Sequence, residues 1–334
     1  MILNSLIRNG LSLLDAVQSF RLNCNALNLL IKCGVIALLS GCVLNNVPFS
    51  PNIIYYPSER ILEGMPSPFP PLTLIELEEE WGKELFFGLH FAKEFDFYRA
   101  ITCYKRALFA SPPEKIFEIE YHLIEAYYLG RKYDQVIEIY ESGTLGEIAL
   151  EAPGVHELLL MLYDSYLALD QNIKACRIQA LIQSLEPSIE ENLQMYTAIE
   201  SANFCALESL QITDPDLRSF LADYQTLKKS VRMAQSFNAL LPGAGYYYVG
   251  QSKTAVTAFI VNALFTYAAY QFFDRGYIAA GLITSSLEIG WYLGGINGAG
   301  LAAQEINEST YSTLGKDFLI KKRLFPILMF DYVF

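Results

Sequence analysis

The sequence contains few of the residues that build metal sites or act as catalytic nucleophiles. Its three histidines, His90, His122 and His156, are widely separated. Its six cysteines form no C-x-x-C pair, the spacing that is typical of many zinc and redox sites. The sequence has no recognisable Ser-His-Asp, Cys-His or paired-carboxylate pattern. It therefore predicts no metal site, no cofactor and no enzymatic activity.

Charged residues are also scarce. They make up 18% of the 334 residues, whereas hydrophobic residues make up 52%. This composition indicates either a very apolar globule or a protein that lies partly in a membrane. The net charge of −12 argues against a nucleic-acid partner, because phosphate groups bind basic surfaces. The length is sufficient for two domains of ordinary size.

A glycine-rich stretch, residues 241–253 (LPGAGYYYVGQSK), is close to a phosphate-binding loop but lacks its essential lysine. Gly245 and Gly250 have the required spacing, but Gln251 stands where the lysine must reach the phosphates. The preceding residues have no strand pattern, and the dinucleotide-binding pattern would need a third glycine that is missing. We therefore expect these glycines to shape the backbone where the chain enters a membrane.

Residues 28–42 (NLLIKCGVIALLSGC) are typical of an export signal. Lys32 precedes an apolar run that is too short to span a bilayer core of about 30 Å, and small residues follow it. The ending Leu39-Ser40-Gly41-Cys42 resembles the bacterial lipobox, in which the cysteine is lipidated. A buried apolar helix that ends in these residues is the alternative. We expect a lipoprotein signal peptide at 1–41 and lipidation of Cys42.

A proline-rich stretch, residues 42–72, follows this signal. Its seven prolines favour an extended backbone over a helix. The sequence therefore predicts a tether at 42–72 that holds the next domain away from a bilayer.

Residues 73–232 contain apolar residues at helical spacing and an internal repeat. Ala100, Val136 and Ala175 occupy equivalent positions 36 and 39 residues apart. The repeated segments resemble tetratricopeptide repeats, in which small residues let paired helices approach and aromatic residues fill the gap to the next pair. A fourth, degenerate pair is expected at 189–206 and 215–229. The matching positions are Gly88, Ala100, Tyr104, Ala107 and Pro112; Leu123, Ala126, Tyr127, Tyr133, Val136 and Tyr140; and Leu162, Tyr166, Ala175 and Pro187.

The resemblance to tetratricopeptide repeats implies an array of stacked helical hairpins that binds a partner protein. We expect Tyr104 and Tyr140 to pack in the core. Other residues would face the inner side of the array, where they either pack in the core or contact a partner. The residues predicted to contact a partner are Lys93, Glu125, Tyr128 and Asp164.

Two apolar segments near the end of the sequence, 255–273 and 277–303, are each long enough or nearly so to cross a membrane as a helix. They predict a transmembrane helical hairpin in a module at 237–307, followed by a tail at 308–334. We expect Tyr246, Tyr247 and Tyr248 to lie at the headgroup level as an aromatic belt.

Small and polar residues within these apolar segments have separate predicted roles. Gly290, Gly294, Gly298 and Ala302 share one helix face and would let helices touch in the membrane, including the helices of a homo-oligomer. Asn262, Glu288 and Asn297 are costly in lipid and should face protein or water.

The same region carries a second resemblance, to a C-terminal membrane module of many bacterial envelope proteins. The similar stretches are LPGAGYYYVGQ at 241–251, NALF at 262–265, EIGWYLGGINGA at 288–299 and AAQEIN at 302–307. The repeat segment YRAITCYKRA at 98–107 matches the same family, and the resemblance covers residues 80–307. The sequence departs from the family at Gly295 and at 305–307.

Together the two resemblances imply an all-α protein in which a tetratricopeptide-like helical-hairpin array precedes a transmembrane helical hairpin. They imply a membrane-anchored scaffold of the bacterial cell envelope, with its repeats in the periplasm, that binds a protein partner without catalysis. The alternative is a subunit of a membrane transport or channel complex, in which Glu288 and Asn262 line a path. The choice between inner and outer membrane stays open at this point, as does the topology of the hairpin.

Overall fold

The computed structural model describes residues 48–143, 151–212 and 214–334, which contain helices and no β-strand. The predicted all-α class is therefore confirmed for the part of the chain that is described. The predicted signal peptide at 1–41 and the predicted lipidation site Cys42 lie outside these residues. The described chain divides into two compact units. The larger comprises Ser50–Lys228 and Asn307–Phe334, and the smaller comprises Lys229–Ile306 with Pro48 and Phe49.

The larger unit is a succession of helical hairpins. Helix α2 packs on α3, α4 on α5, α6 on α7, and α8 on α9. The first helices of the first three hairpins also touch one another, α2 with α4 and α4 with α6. The helices are α1 (Glu59–Leu62), α2 (Glu80–Lys93), α3 (Phe97–Ala110), α4 (Ile116–Leu129), α5 (Tyr133–Ser142), α6 (Val155–Ala168), α7 (Asn172–Leu185), α8 (Glu190–Glu200), α9 (Phe204–Leu210) and α10 (Pro215–Leu227).

Small residues allow the helices of a hairpin to approach closely. Ala100 and Ala107 are completely buried, and Ala175 is 1% exposed. A Cβ atom added at Gly88 on α2 would lie 2.4 Å from the ring of Tyr104 on α3. The side chain of Tyr104 therefore fills the space that the missing Cβ leaves.

The hairpin turns share one backbone geometry. Phe95, Arg131, Asp170 and Ala202 each adopt a left-handed conformation, with φ of 58°, 58°, 56° and 49°. In the turn at Ala202, the Ala202 N–H donates to Ile199 O and the Asn203 N–H donates to Ala198 O, and the other three turns repeat this pattern. These bonds satisfy carbonyls at the helix end as in a Schellman motif, which usually has glycine at the left-handed position. None of the four residues is glycine, so the sequence gives little sign of the shared turn.

The fourth hairpin differs from its prediction. The sequence predicts one helix at 189–206, but Ser201, Ala202 and Asn203 form a turn inside that range. The reason is the Asn203 side chain, which accepts a hydrogen bond from the Ala206 N–H at 3.2 Å and so begins α9. Helices α8 and α9 form the hairpin, and α10 is an additional helix that starts after the capping residue Asp214.

The predicted tether at 42–72 is wrong for the residues that the structure describes from Ser50 onward. This stretch has no regular element apart from α1, but it packs on the helical array. The ring of Phe69 lies 5.2 Å from that of Tyr121 on α4, and Leu62 is 3% exposed. The apolar side chains between the prolines explain the difference, because they bury area that a solvated linker would leave exposed.

The smaller unit contains α11 (Val231–Leu240), α12 (Ala244–Tyr248), α13 (Ser252–Asp274) and the first part of α14 (Ile278–Lys321). Among the described residues, α13 is the one helix long and apolar enough to cross a membrane, with a mean hydropathy of 1.3. The predicted second span at 277–303 forms the beginning of α14. The predicted separate tail at 308–334 is wrong up to Lys321, because α14 continues through these residues and packs in the larger unit.

The left-handed turn at Ala202 predicts an unusual stabilising substitution. Ala202→Gly should raise the free energy of unfolding by about 1 kcal/mol, because glycine adopts positive φ without the steric cost of a Cβ atom. Ala222→Gly, at an exposed position inside α10, should lower it by about 0.5–1 kcal/mol. Chemical denaturation in detergent, followed by far-UV circular dichroism, measures both. Destabilisation by Ala202→Gly would contradict the turn geometry.

Candidate functional site

The inner side of the helical array holds part of the chain itself. Residues 324–334 (LFPILMFDYVF), here called the tail segment, follow the end of α14 and belong to the same unit as the array. Its backbone is extended at Phe325 and Phe330, with a short 3-10 turn between them. Eight of its residues are buried: Leu324, Phe325, Pro326, Ile327, Leu328, Phe330, Val333 and Phe334.

Three phenylalanines anchor the tail segment. The ring of Phe325 stacks on that of Tyr55 at 4.7 Å and meets Tyr196 on α8 edge to face at 6.0 Å. Phe330 lies 6.0 Å from the ring of Tyr128 on α4. Phe334 lies 6.2 Å from the ring of Phe95 in the first hairpin turn. The anchors therefore contact the fourth, second and first hairpins, so the segment runs along the array.

Two buried carboxylates bind backbone N–H groups of the tail segment. The N–H of Phe334 donates to both oxygens of Glu125 on α4, each at 3.3 Å. The N–H of Asp331 donates to Oε1 of Glu157 on α6 at 3.1 Å. Glu125 and Glu157 are 0% and 1% exposed. Burial raises the pKa of Glu157, and the Asp331 N–H opposes this shift by stabilising the charged form.

The residues predicted to contact a partner have different positions. Lys93 is exposed, as a contact residue must be. Glu125 and Tyr128 are buried against the tail segment, which therefore occupies the position predicted for a partner. Asp164 is partly buried and accepts a hydrogen bond from Tyr128. The apolar, aromatic-rich run at 324–334 was the sequence signal for this occupant.

Asp164 on α6 joins three helices through two tyrosine hydroxyls. Tyr128 on α4 donates to its Oδ2 at 2.7 Å, and Tyr196 on α8 donates to its Oδ1 at 2.6 Å. Burial raises the pKa of Asp164, while the two hydroxyls lower it by stabilising the ionised form. Sequence reasoning placed Tyr128 and Asp164 on one face but missed Tyr196, which lies in the degenerate fourth hairpin.

Cavities lie at both ends of the tail segment. One of about 270 Å³ adjoins Phe325 and is lined also by Arg131, Asp164, Tyr196 and Glu200. The other, of about 530 Å³, adjoins Phe334 and is lined also by Phe86, His90, Lys93 and His122. The groove along the array is therefore longer and wider than the segment inside it.

In the smaller unit, the glycines of LPGAGYYYVGQ shape the backbone. Gly243 has φ of 92°, and a Cβ atom there would lie 2.2 Å from Ala255 O. Its N–H donates to Oδ1 of the buried Asn238 at 2.9 Å. A Cβ atom at Gly245 would lie 2.2 Å from Ala234 O. Both positions exclude larger residues because the backbones of neighbouring elements approach so closely.

Two of the three tyrosines predicted to form an aromatic belt pack within the smaller unit. Tyr246 and Tyr248 pack against a buried cluster that includes Ala234, Val249 and Ala299, and only Tyr247 is strongly exposed. The Tyr248 hydroxyl accepts a hydrogen bond from the Ser230 N–H at 3.1 Å. The tyrosines lie on a short helix, so its inner residues turn towards α11.

Two of the four small residues on the glycine face of α14 pack against other residues of the smaller unit. A Cβ atom added at Gly298 would collide with the Tyr246 hydroxyl, and Ala302 belongs to the buried cluster. No described atom lies within 4 Å of a Cβ atom added at Gly290 or Gly294. Helix packing at these two glycines is therefore not made by the described part of this chain.

The polar residues of the two apolar segments separate into two groups. Asn262 and Glu288 line one groove of about 610 Å³ between α13 and α14, with apolar and aromatic neighbours such as Phe259, Tyr267 and Tyr292. Oδ1 of Asn262 and Oε2 of Glu288 are buried and have no hydrogen-bond partner among the described residues. Asn297 is exposed and does not line this groove.

Comparisons of the chain with protein-family models, with curated proteins and with solved structures found no match. The assignment of function therefore rests on the groove of the larger unit and on the exposed helices of the smaller one.

The two hydroxyls at Asp164 predict a pH-dependent effect of mutation. Tyr196→Phe should lower the free energy of unfolding by about 1–3 kcal/mol near neutral pH, because it removes a donor from a charged, buried acceptor. The loss should be smaller at about pH 4, where more of the aspartate is protonated and needs the donor less. Tyr98→Phe is the matched control, because Tyr98 is 84% exposed. Denaturation curves at the two pH values measure the effect, and an equal loss at both would contradict an ionised Asp164.

Proposed function

We propose that this protein is a membrane-anchored scaffold of the bacterial cell envelope that binds a partner protein through its tetratricopeptide-like helical array. In this proposal the transmembrane hairpin formed by α13 and the apolar part of α14 anchors the protein. The chain has no catalytic role, and Cys42 carries a lipid that adds to the anchoring. The residues that meet the partner lie along the groove of the array.

The observation that carries the proposal is the occupied groove. The array already holds an extended segment through aromatic anchors and backbone hydrogen bonds to Glu125 and Glu157. Extended peptides are recognised in proteins by the same combination of main-chain bonds and side-chain pockets. A surface that binds an extended segment within the chain has the chemistry to bind one from another protein.

Exposed apolar residues support the membrane anchor. Only 11% of the apolar window of α13 is buried. Val256, Leu264, Tyr267 and Tyr270 are each more than half exposed. A core helix of a soluble protein would bury such side chains, whereas a helix in lipid exposes them to acyl chains at no cost.

Site-specific crosslinking in membranes tests the scaffold function. A photoreactive amino acid at Lys93, which lines the cavity beside Phe334, should give one discrete product with another protein. The same amino acid at Thr102 is the matched control, because Thr102 is exposed on the second helix of the same hairpin. We expect no such product from Thr102, since it does not line the groove.

Two outcomes would contradict the scaffold function. One is the absence of any heteromeric product from Lys93 and from further probes along the groove. The other is release of the protein from membranes by alkaline carbonate, which removes peripheral proteins but leaves spanning helices in place.

The groove between α13 and α14 favours a second candidate function, a subunit of a transport or channel complex. Buried polar atoms usually have hydrogen-bond partners. Oδ1 of Asn262 and Oε2 of Glu288 lack one among the described residues, and both line this apolar groove. Polar groups in such a position are typical of a path for an ion or a polar solute.

Flux measurements separate the two functions. We expect proteoliposomes that contain the purified protein to pass ions no faster than protein-free liposomes, because a scaffold needs no path. The second function requires a flux that Glu288→Gln abolishes and that Asn297→Ala, at the exposed asparagine of the same helix, leaves intact. Such a result would replace the scaffold with the channel function.

A further inference from the structure

The tail segment has the features of an exchangeable ligand. We infer that residues 324–334 occupy the peptide groove of the array in competition with an extended segment of the partner. This inference rests on the proposed function, because it names the class of partner and the way in which access to the groove is controlled. The partner segment would present three aromatic or aliphatic anchors in the places of Phe325, Phe330 and Phe334.

The incomplete filling of the groove supports competition. The tail segment leaves an open cavity of about 270 Å³ at one end and another of about 530 Å³ at the other. A competing segment that extends past the place of Phe334 would gain contacts that the tail segment lacks.

The hydrogen bonds of the tail segment also favour exchange. Two of its backbone N–H groups, those of Asp331 and Phe334, donate to the side chains of Glu157 and Glu125, and one backbone-to-backbone bond joins the Val333 N–H to Pro66 O at 3.0 Å. When the segment leaves, water can reach both carboxylates and replace the lost donors. Any extended chain offers the same N–H groups, so the carboxylates select for an extended backbone and the pockets select for the anchors.

The charge at the free end of the groove refines the class of partner. Lys93 is exposed and lines the larger cavity beside Phe334 together with His90 and Glu118, and the Glu118 carboxylate is paired with Lys115 at 3.0 Å. An acidic side chain placed after the third anchor would lie near the ammonium group of Lys93. The inferred partner segment is therefore extended, has aromatic or aliphatic anchors and continues into an acidic residue.

A labelled peptide with the sequence of residues 323–334 tests the exchange, added to the full-length protein in detergent. The tail segment is tethered at an effective concentration on the order of millimolar, so the wild type should bind the peptide weakly. Phe330→Asp in the protein should weaken its own segment and tighten peptide binding at least about tenfold. Tyr332→Asp is the matched control, because Tyr332 is 41% exposed, and it should bind as the wild type does.

The specificity of the groove is tested with a second peptide that carries the Phe330→Asp change. It should not compete with the first peptide. A folded Phe330→Asp protein that binds neither peptide, or binds both equally, would overturn the inference. A failure of this kind leaves the scaffold function standing, because crosslinking to a partner needs no exchange of the tail segment.

Hydrogen exchange on the wild-type protein gives a measurement that no misfolded variant can obscure. If the tail segment opens locally, amides of residues 327–334 should exchange at least about tenfold faster than those in the centres of α4 and α6. Exchange of both sets at one common rate would mean that the segment opens only with global unfolding. That result would also overturn the inference.

Discussion

Buried carboxylates are the constraint on which the larger unit depends. Glu118, Glu120, Glu125 and Glu157 are each less than 9% exposed, and Asp164 is partly buried among tyrosines. A buried carboxylate is costly unless hydrogen-bond donors satisfy it. Lys115 supplies a donor for Glu118, two tyrosines supply donors for Asp164, and the tail segment supplies them for Glu125 and Glu157. The acidic interior therefore requires the aromatic residues and the extended segment that surround it.

This requirement explains why the tyrosines of the array have more than one role. In the repeat pattern they appear as residues that fill gaps between hairpins, whereas Tyr104 packs against Gly88 within its own hairpin. Tyr128 and Tyr196 instead project their hydroxyls onto a shared acceptor from different hairpins. Each of these bonds ties one hairpin to the next. Stacked hairpins are stabilised mainly by contacts between neighbours, so such bonds add to the stability of the whole array.

The helical class and the burial of Ala100 and Ala175 could be predicted from the sequence, because helical spacing and small residues at fixed intervals report packing directly. The turn at Ala202 could not, because it has no glycine and its geometry is fixed by backbone bonds. The predicted partner face at Glu125 and Tyr128 was a groove, but its occupant lies about two hundred residues further along the chain. Periodicity carries no information about contacts over such sequence separations. The occupant of the groove is identified only by the N–H groups that donate to Glu125 and Glu157 in the folded structure.

Glycines allow structural elements to approach closely in both units, but they give space to different groups. In the array, Gly88 gives space to an aromatic ring, and the apolar faces are buried within the unit. In the smaller unit, Gly243 and Gly245 give space to the backbone of neighbouring elements, while Gly290 and Gly294 meet no described atom. Small residues on an exposed apolar helix matter for packing only when another helix reaches them, since lipid supplies no hydrophobic force between helices. The open part of the glycine face therefore requires a second helix from outside the described chain if it is to contribute to assembly, whereas Gly298 and Ala302 already contribute to the fold.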